Sequence, residues 1–285
     1  MIRRVRLVPV LLLLCIASYS QAPTPKPIRI LFIGNSYTYF NNLPDVIAKL
    51  ADAGHQKKVE FVMQAPGGWR LKDHWDRGDL RKALQNQKWD YVVLQDQSQL
   101  GDNHVVDGKP RITTDENFHP SAVEIAKAIR DAGAIPVFYL TWAKKSVPED
   151  QAMIDNAYFR AAKETKSIVA PVGIAWTDVR TKDPSIQLYI ADGSHPTSAG
   201  TYLAACVFYA TIFGRSPVGL PSQISGTPVN LDTEKVESGK TAVLVDIKPD
   251  QARLLQQAAW QASLRLRRNG GFLPQERVPA LASQP

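Results

Sequence analysis

Short apolar runs alternate along the chain with longer segments whose apolar residues recur at helical spacing. The short runs are typical of buried strands, and the amphipathic segments of helices that cover a sheet. Strands are predicted at 28–33, 59–63, 91–94, 135–140 and 168–172. Helices are predicted between and after these strands. Asn41 or Asn42 would cap the first, which Gly54 would end, and Ser121 would cap the helix at 122–132. The other predicted helices are 80–84, 149–164 and 202–213, of which the last is apolar on every face.

Strands separated by helices of this length imply a parallel sheet that is covered on both faces. The predicted fold class is therefore α/β, a three-layer, doubly wound, flavodoxin-like parallel sheet with helices on both faces. Active sites in such sheets lie beyond the carboxyl ends of the strands. Ser36, Gly67, Gln95 and Gln97 all fall just beyond the carboxyl end of a predicted strand, so we expect the chemistry at that edge.

The first 20 residues are predicted to be a signal peptide, because three arginines precede a short apolar run and small residues follow it. About eleven apolar residues are too few to cross a bilayer, which takes roughly 20. Cys15 would suit a lipoprotein signal, but the bulky Leu14 before it favours a plain secretory signal. Cleavage near Ser20 would give a secreted or periplasmic protein with no stable membrane insertion.

The rest of the chain divides into a linker at 21–27, a domain at 28–214, a C-terminal extension at 215–268 with a terminal helix packed on the domain, and a disordered tail at 269–285. Removal of the signal lowers the formal net charge from +7 to +4, and nothing in the remainder predicts a nucleic-acid partner. Cys206 would then be the only cysteine, so no intrachain disulfide could form. A monomer is predicted.

The strongest chemical signal is the run Asp-Gly-Ser-His at 192–195, which sets a carboxylate three residues before an imidazole. Within one turn, Asp192 could hold the ring nitrogen of His195 that faces away from the chemistry. Ser36 ends a small polar turn after the first strand, where an exposed nucleophile would lie. Alone, that serine could be an ordinary turn cap. With Asp192 and His195, it predicts a serine esterase that needs no metal or organic cofactor.

These residues resemble the SGNH hydrolase superfamily, the GDSL-type esterases and lipases. The run Gly-Asn-Ser at 34–36 resembles its first block, and the run at 192–195, followed by a Pro-x-x-x-Gly sequence and a helix, resembles its last block. Gly67 or Gly68 would be the glycine of the second block. The resemblance covers about 28–214 and implies an acyl-enzyme mechanism on the fold predicted above.

Two positions depart from the family pattern. Asn35 replaces an aspartate that transfers no proton in the family, and the third block, normally Gly-x-Asn-Asp, reads Gln-Asp-Gln at 95–97. Counting from the strand end puts Gln97 at the asparagine position, with Gln95 as the alternative. The resemblance implies an oxyanion hole built from the backbone N–H of Ser36, the N–H of Gly67 or Gly68, and the Gln97 amide.

Trp69 and Trp142 follow the proposed site loops and are predicted to contact substrate, as aromatic rings beside a polar cleft can hold a sugar face. The predicted function is hydrolysis of carboxylic esters, in particular O-acetyl groups on carbohydrate, with a small molecule or glycan ester as substrate. Two alternatives remain open: a lipase-like or thioesterase member of the same superfamily, and a catalytically weak carbohydrate-binding protein on the same fold. His74 is predicted to be a surface or packing residue.

Overall fold

The structure is a computed structural model that describes residues 26–101 and 104–268. The predicted signal peptide, most of the linker and the predicted tail lie outside these residues. In chain order the strands are β1 (Ile28–Ile33), β2 (Val59–Gln64), β3 (Tyr91–Leu94), β4 (Val105–Val106), β5 (Lys109–Pro110), β6 (Ile135–Tyr139), β7 (Ile168–Ala170), β8 (Gln223–Gly226), β9 (Val229–Asn230), β10 (Lys235–Val236) and β11 (Ala242–Asp246). The helices are α1 (Ser36–Tyr39), α2 (Leu43–Ala53), α3 (Leu71–Arg77), α4 (Asp79–Asn86), α5 (His119–Asp131), α6 (Gln151–Thr165), α7 (Val172–Lys182), α8 (Ser198–Phe213) and α9 (Pro249–Arg268), with short 3-10 turns at Phe40–Asn42 and Pro148–Asp150.

A five-stranded parallel sheet in the order β2-β1-β3-β6-β7 forms the centre of the fold. Without the short β4–β5 hairpin this is the flavodoxin-like order, in which the chain winds outward from β1 in both directions. The predicted fold class is confirmed. All five strands run the same way, so their carboxyl ends share one edge of the sheet.

Both faces of the sheet are covered by helices, which explains why residues 30–33 of β1 are all apolar. Ile30 and Phe32 point to one face and pack with α2, α7, α8 and α9. Leu31 and Ile33 point to the other face and pack with α3, α4, α5 and α6. A strand buried on both faces cannot alternate apolar and polar residues, which is why its sequence reads as a continuous run.

Several helix starts differ from the sequence prediction. Asn42 stands at the N-cap position of α2, but its side chain makes no capping bond and donates to the Thr227 carbonyl instead. Helix α5 begins two residues before Ser121, with Pro120 in its first turn. Helices α3 and α7 were not predicted; the strand expected at 168–172 ends at Ala170 and Pro171 leads into α7.

The C-terminal extension forms two antiparallel strand pairs and packs its terminal helix against α8 and α7. The pairs are β8 with β11 and β9 with β10. The Gln256 amide of α9 donates to the Tyr202 hydroxyl of α8 at 2.6 Å and to the Leu220 carbonyl at 2.8 Å. The boundary expected near residue 214 stays a prediction.

Within the described ranges, no helix combines the length and the apolar character that a membrane span requires.

Candidate active site

Ser36 is the first residue of α1 and follows the turn at the end of β1. Asn35 caps this helix, because its side-chain oxygen accepts the Tyr37 N–H at 3.2 Å. Gly34 has no room for a side chain, which would meet the Thr38 hydroxyl and the Gln95 carboxamide oxygen. The sharp change from strand to helix therefore presents the Ser36 hydroxyl at the carboxyl edge of the sheet.

Asp192 and His195 form a closed turn, as their spacing predicts. One carboxylate oxygen of Asp192 accepts the backbone N–H of Ser194 at 2.8 Å and of His195 at 3.0 Å. The other oxygen lies 2.5 Å from Nδ1 of the His195 ring. Partial burial acts to raise the pKa of Asp192, but the hydrogen bonds from His195 and from the two N–H groups outweigh it and hold that pKa below its ordinary value.

Tertiary structure brings the His195 ring to Ser36 across 159 positions of the chain. Nε2 of His195 lies 2.8 Å from the Ser36 Oγ. Because ionised Asp192 accepts from Nδ1, the Nδ1–H tautomer is favoured, and Nε2 can accept the serine proton. The three predicted residues thus form one chain of hydrogen bonds, from hydroxyl to imidazole to carboxylate.

Two aromatic rings surround the His195 imidazole. Phe40 stacks on its face with ring centroids 4.5 Å apart and an interplanar angle of 16°. Tyr37 contacts it edge-on at 5.6 Å and shares a 2.7 Å hydroxyl–hydroxyl hydrogen bond with Ser194. Burial raises the pKa of Tyr37, so its phenol stays protonated. The sequence analysis did not identify either ring, and only the aromatic-rich run after Ser36 could have suggested them.

Trp142 does not lie at the substrate surface, so its predicted role in contacting substrate is wrong. Its ring is fully buried and stacks between Tyr37 at 4.6 Å and Trp176 at 3.8 Å. Its indole N–H donates to the Ser194 carbonyl at 2.9 Å. An indole held on both faces supports the loop that carries His195 and has no free face for a ligand.

The two glutamines of the third block have different partners. Gln95 is fully buried: its oxygen accepts the Asn35 N–H and the Thr38 hydroxyl, and its nitrogen donates to the Asn35 side chain, each at 2.9 Å. The Gln95 amide is therefore committed to the turn before Ser36. The side-chain oxygen of Gln97 accepts the Gln99 N–H at 2.6 Å, while its side-chain nitrogen makes only a 3.4 Å contact with the Ser98 hydroxyl. Of the two amides, that of Gln97 has the freer donor.

The two candidate glycines of the second block also differ. Pro66 to Trp69 form a turn closed by a bond from the Trp69 N–H to the Pro66 carbonyl at 3.3 Å. Gly68 has a φ of +71° at its third position, as a type II turn requires. The Gly67 N–H donates to the Glu234 carboxylate at 2.9 Å, whereas the Gly68 N–H has no hydrogen-bond partner among residues 26–101 and 104–268. Gly68 is therefore the better candidate for an oxyanion donor.

Trp69 and His74 lie directly behind the nucleophile turn. The Trp69 carbonyl accepts from the Asn35 side chain at 2.9 Å, and its ring is partly exposed with the Arg77 guanidinium over it at 5.3 Å. His74 is almost fully buried, and its Nε2 lies 2.8 Å from the Gly34 carbonyl. Burial lowers the pKa of His74, so the neutral ring donates that bond. The substrate contact of Trp69 stays a prediction; His74 proves to be a packing residue that holds the turn.

Asp96 is a fully buried carboxyl between the two glutamines. One oxygen accepts the Gln97 N–H at 2.5 Å, and the other has no hydrogen-bond partner among the described residues. Burial raises the pKa of Asp96 to about 7.

In the described part of the chain, no group of three or more histidine, cysteine, aspartate or glutamate side chains is arranged to hold a metal ion.

Comparison with solved structures places this architecture in a known group. A protein from Slackia heliotrinireducens described as an SGNH hydrolase is 30% identical, with a TM-score of 0.55 over 66% of this chain and 100% of that one. A DUF4886-family protein from Bacteroides uniformis is 20% identical, with a TM-score of 0.61 over 84% of this chain and 95% of that one. A catalytic mutant of an acetylxylan esterase from Geobacillus stearothermophilus is 15% identical, with a TM-score of 0.53 over 65% and 94%.

The latter two likenesses concern the fold alone, whereas the first covers the whole of its relative at a higher identity. No protein-family model matches the chain, and no curated protein matches it significantly. The family assignment therefore comes from the solved structures together with the order of the sheet. On these grounds the chain belongs to the SGNH hydrolase superfamily, a group of hydrolases of the ester-cleaving kind.

Proposed function

We propose that the protein is an exported serine esterase that removes acyl groups, in particular O-acetyl groups, from carbohydrate. The observation that carries the proposal is the 2.8 Å contact between the Ser36 hydroxyl and Nε2 of His195, whose other nitrogen is held by Asp192. A hydroxyl paired with an oriented imidazole is the arrangement that activates a serine for attack on a carbonyl.

In the proposed reaction, Nε2 of His195 takes the proton of Ser36 while the serine oxygen bonds to the ester carbonyl carbon. The carbonyl oxygen becomes negative, and in this proposal the N–H groups of Ser36 and Gly68 and the Gln97 amide donate hydrogen bonds to it. The imidazolium then gives its proton to the leaving alcohol as the carbon–oxygen bond of the ester breaks. Water, deprotonated by the same imidazole, then attacks the acyl carbon. The bond from that carbon to the Ser36 oxygen breaks, the imidazolium returns its proton to Ser36, and the carboxylic acid leaves.

Support for a carbohydrate ester is of two kinds. An acetylxylan esterase and an acetyl-xylooligosaccharide esterase share the fold, and the partly exposed Trp69 stands beside the Gly68 turn with an aromatic face that could contact a sugar ring. Export is supported by the basic, then apolar, then small residues of the first 20 positions. A lipase-like or thioesterase activity is the competing assignment.

Covalent labelling tests the nucleophile directly. Incubation with an organophosphonate should add its mass to the peptide that contains Ser36, and Ser36→Ala should abolish the label while the circular dichroism spectrum is unchanged. Acetate release should then be measured from acetylated xylo-oligosaccharides, alongside nitrophenyl esters from acetate to laurate. Rates that increase with acyl length would favour the lipase-like alternative. No label and no acetate release would leave only the carbohydrate-binding alternative.

A further inference from the structure

Glu234 of the C-terminal extension reaches the loop that carries the candidate oxyanion donor. It stands in the turn between β9 and β10, where the Asn230 side-chain oxygen accepts the N–H of Asp232 at 3.0 Å and of Thr233 at 2.9 Å. The φ of Glu234 is +58°, a left-handed conformation that is uncommon for a non-glycine residue. Glu234 is solvent-exposed, and its carboxylate lies against the Gly67 backbone.

The Glu234 carboxylate contacts two elements of the active site at once. Oε2 accepts the Gly67 N–H at 2.9 Å, and Oε1 lies 3.4 Å from the Tyr39 hydroxyl. Tyr39 ends α1, the helix that Ser36 begins. Burial, with the nearby Glu234 charge, raises the pKa of Tyr39, so the phenol keeps its proton and donates. One carboxylate therefore joins the Gly67–Gly68 turn to the nucleophile helix.

The turn from Pro66 to Trp69 is consequently held at three points. Glu234 holds the Gly67 N–H, the Trp69 N–H closes on the Pro66 carbonyl, and the Asn35 side chain holds the Trp69 carbonyl. In this turn the N–H groups of Gly67 and Trp69 are both hydrogen-bonded, whereas that of Gly68 has no partner among the described residues. An oxyanion donor acts only when it is oriented before the charge develops, and these three bonds orient that peptide.

We propose that Glu234 is a positioning residue for the oxyanion loop: its carboxylate fixes the Gly67–Gly68 turn so that the Gly68 N–H faces the reacting carbonyl. The inference rests on the proposed esterase function. It also assigns a role to the C-terminal extension, which completes a site whose other parts all precede residue 196. Glu234 is solvent-exposed, so water and salt screen its charge from the oxyanion.

Steady-state kinetics on an acetyl ester with the full chain tests the role. Glu234→Ala should lower kcat about 10- to 100-fold, less than the 10²- to 10³-fold loss of a donor itself, with KM changed by less than about threefold. Glu234→Gln keeps an acceptor for the Gly67 N–H and should stay within about threefold of wild type. The matched control is Asp232→Ala, which removes an exposed carboxylate from the same turn and should leave kcat unchanged.

Amide hydrogen exchange of Gly67 tests the contact independently of activity. Exchange should accelerate in Glu234→Ala and be restored in Glu234→Gln. Unchanged Gly67 exchange in Glu234→Ala would overturn the proposal, even in a protein that cleaves no ester. An unchanged kcat in Glu234→Ala would overturn it too. A kcat that rises would mean that the carboxylate competes with the oxyanion, and would also overturn it. Failure of Ser36 labelling in the wild type would count against the esterase function instead.

Discussion

Asn35 and Gln95 hold each other through a reciprocal pair of hydrogen bonds. The Asn35 backbone N–H donates to the Gln95 side-chain oxygen, and the Gln95 nitrogen donates to the Asn35 side-chain oxygen, both at 2.9 Å. The remaining Asn35 donor reaches the Trp69 carbonyl. Two residues at the ends of neighbouring strands β1 and β3 thereby tie the nucleophile turn to the loop after β2. An amide suits position 35 because that site needs a donor and an acceptor together.

Asn35→Asp should therefore harm this protein, although aspartate is the residue of the family pattern. The carboxylate cannot donate to the Trp69 carbonyl and would set an oxygen against it. We expect the free energy of unfolding to fall by about 1–3 kcal/mol, the cost of an unsatisfied buried polar group. Chemical denaturation measures this, with the exposed Asn156→Asp in α6 as the control. Equal stability of Asn35→Asp and wild type would contradict the role given to the Trp69 bond.

The three residues of the hydrogen-bonded chain should be needed for turnover and not for folding. Ser36→Ala and His195→Ala should each lower kcat on an acetyl ester by several orders of magnitude. Asp192→Asn should cost on the order of 10⁴-fold, as the wrong tautomer of the histidine is then favoured. Circular dichroism and the midpoint of thermal unfolding should change little. A loss of less than about tenfold in Asp192→Asn would mean that another group orients His195.

Gln97→Ala should lower kcat by about 10² to 10³ with KM nearly unchanged, since an oxyanion donor acts mainly in the transition state. Its stability should fall by less than that of Gln95→Ala, because it loses only the bond from the Gln99 N–H and one long contact with Ser98. Gln95→Ala is the comparison: it removes the bonds to Asn35 and should lower the free energy of unfolding by about 1–3 kcal/mol. If Gln97→Ala keeps full kcat, the backbone donors suffice and the amide belongs to substrate binding or packing.

Phe40→Leu should lower kcat/KM roughly 2- to 12-fold, because a stacked aromatic pair contributes about 0.5–1.5 kcal/mol beyond its burial. Leucine keeps an apolar contact with His195 but has no aromatic ring to stack on the imidazole. Phe159→Leu, at a partly buried position of α6, is the control and should keep wild-type kinetics. Identical kinetics for the two leucine variants would remove the orienting role.

Asp96 should make the stability of the protein fall as the pH rises towards neutrality. Its pKa is about 7 in the folded chain and about 3.9 in an unfolded one. Between these values the native state binds the extra proton, so the free energy of unfolding decreases with rising pH and levels off above about 7. Asp96→Asn lacks this titration.

Denaturant unfolding at several pH values checks the Asp96 prediction. The difference in stability between Asp96→Asn and wild type should grow in favour of the variant from about pH 4 to about pH 7 and then stay constant. Asp52→Asn, at an exposed position of α2, is the control for removal of a carboxylate. A difference that does not vary with pH would show that Asp96 ionises equally in both states.

The sequence by itself determined the features that depend on neighbouring residues. Apolar runs mark the strands of the sheet, since a strand buried on both faces has no polar alternation. The three-residue spacing from Asp192 to His195 makes their contact local, so it could be predicted before any fold. Where a strand leads straight into a helix, the local pattern is ambiguous: the apolar residues of β7 continue into α7, and hydrophobicity alone does not mark the strand end before Pro171.

Only the tertiary structure decided which partner each polar group takes. Gln95 and Gln97 carry the same amide two positions apart. The Gln95 nitrogen donates to the Asn35 side chain, whereas the Gln97 nitrogen makes only one long contact. Trp142 follows a strand end as a substrate-contacting residue would, but Tyr37 and Trp176 cover both faces of its ring. The bond between Glu234 and Gly67 joins segments 167 positions apart. Such pairings depend on how separate elements pack, and no short-range pattern in the sequence encodes that packing.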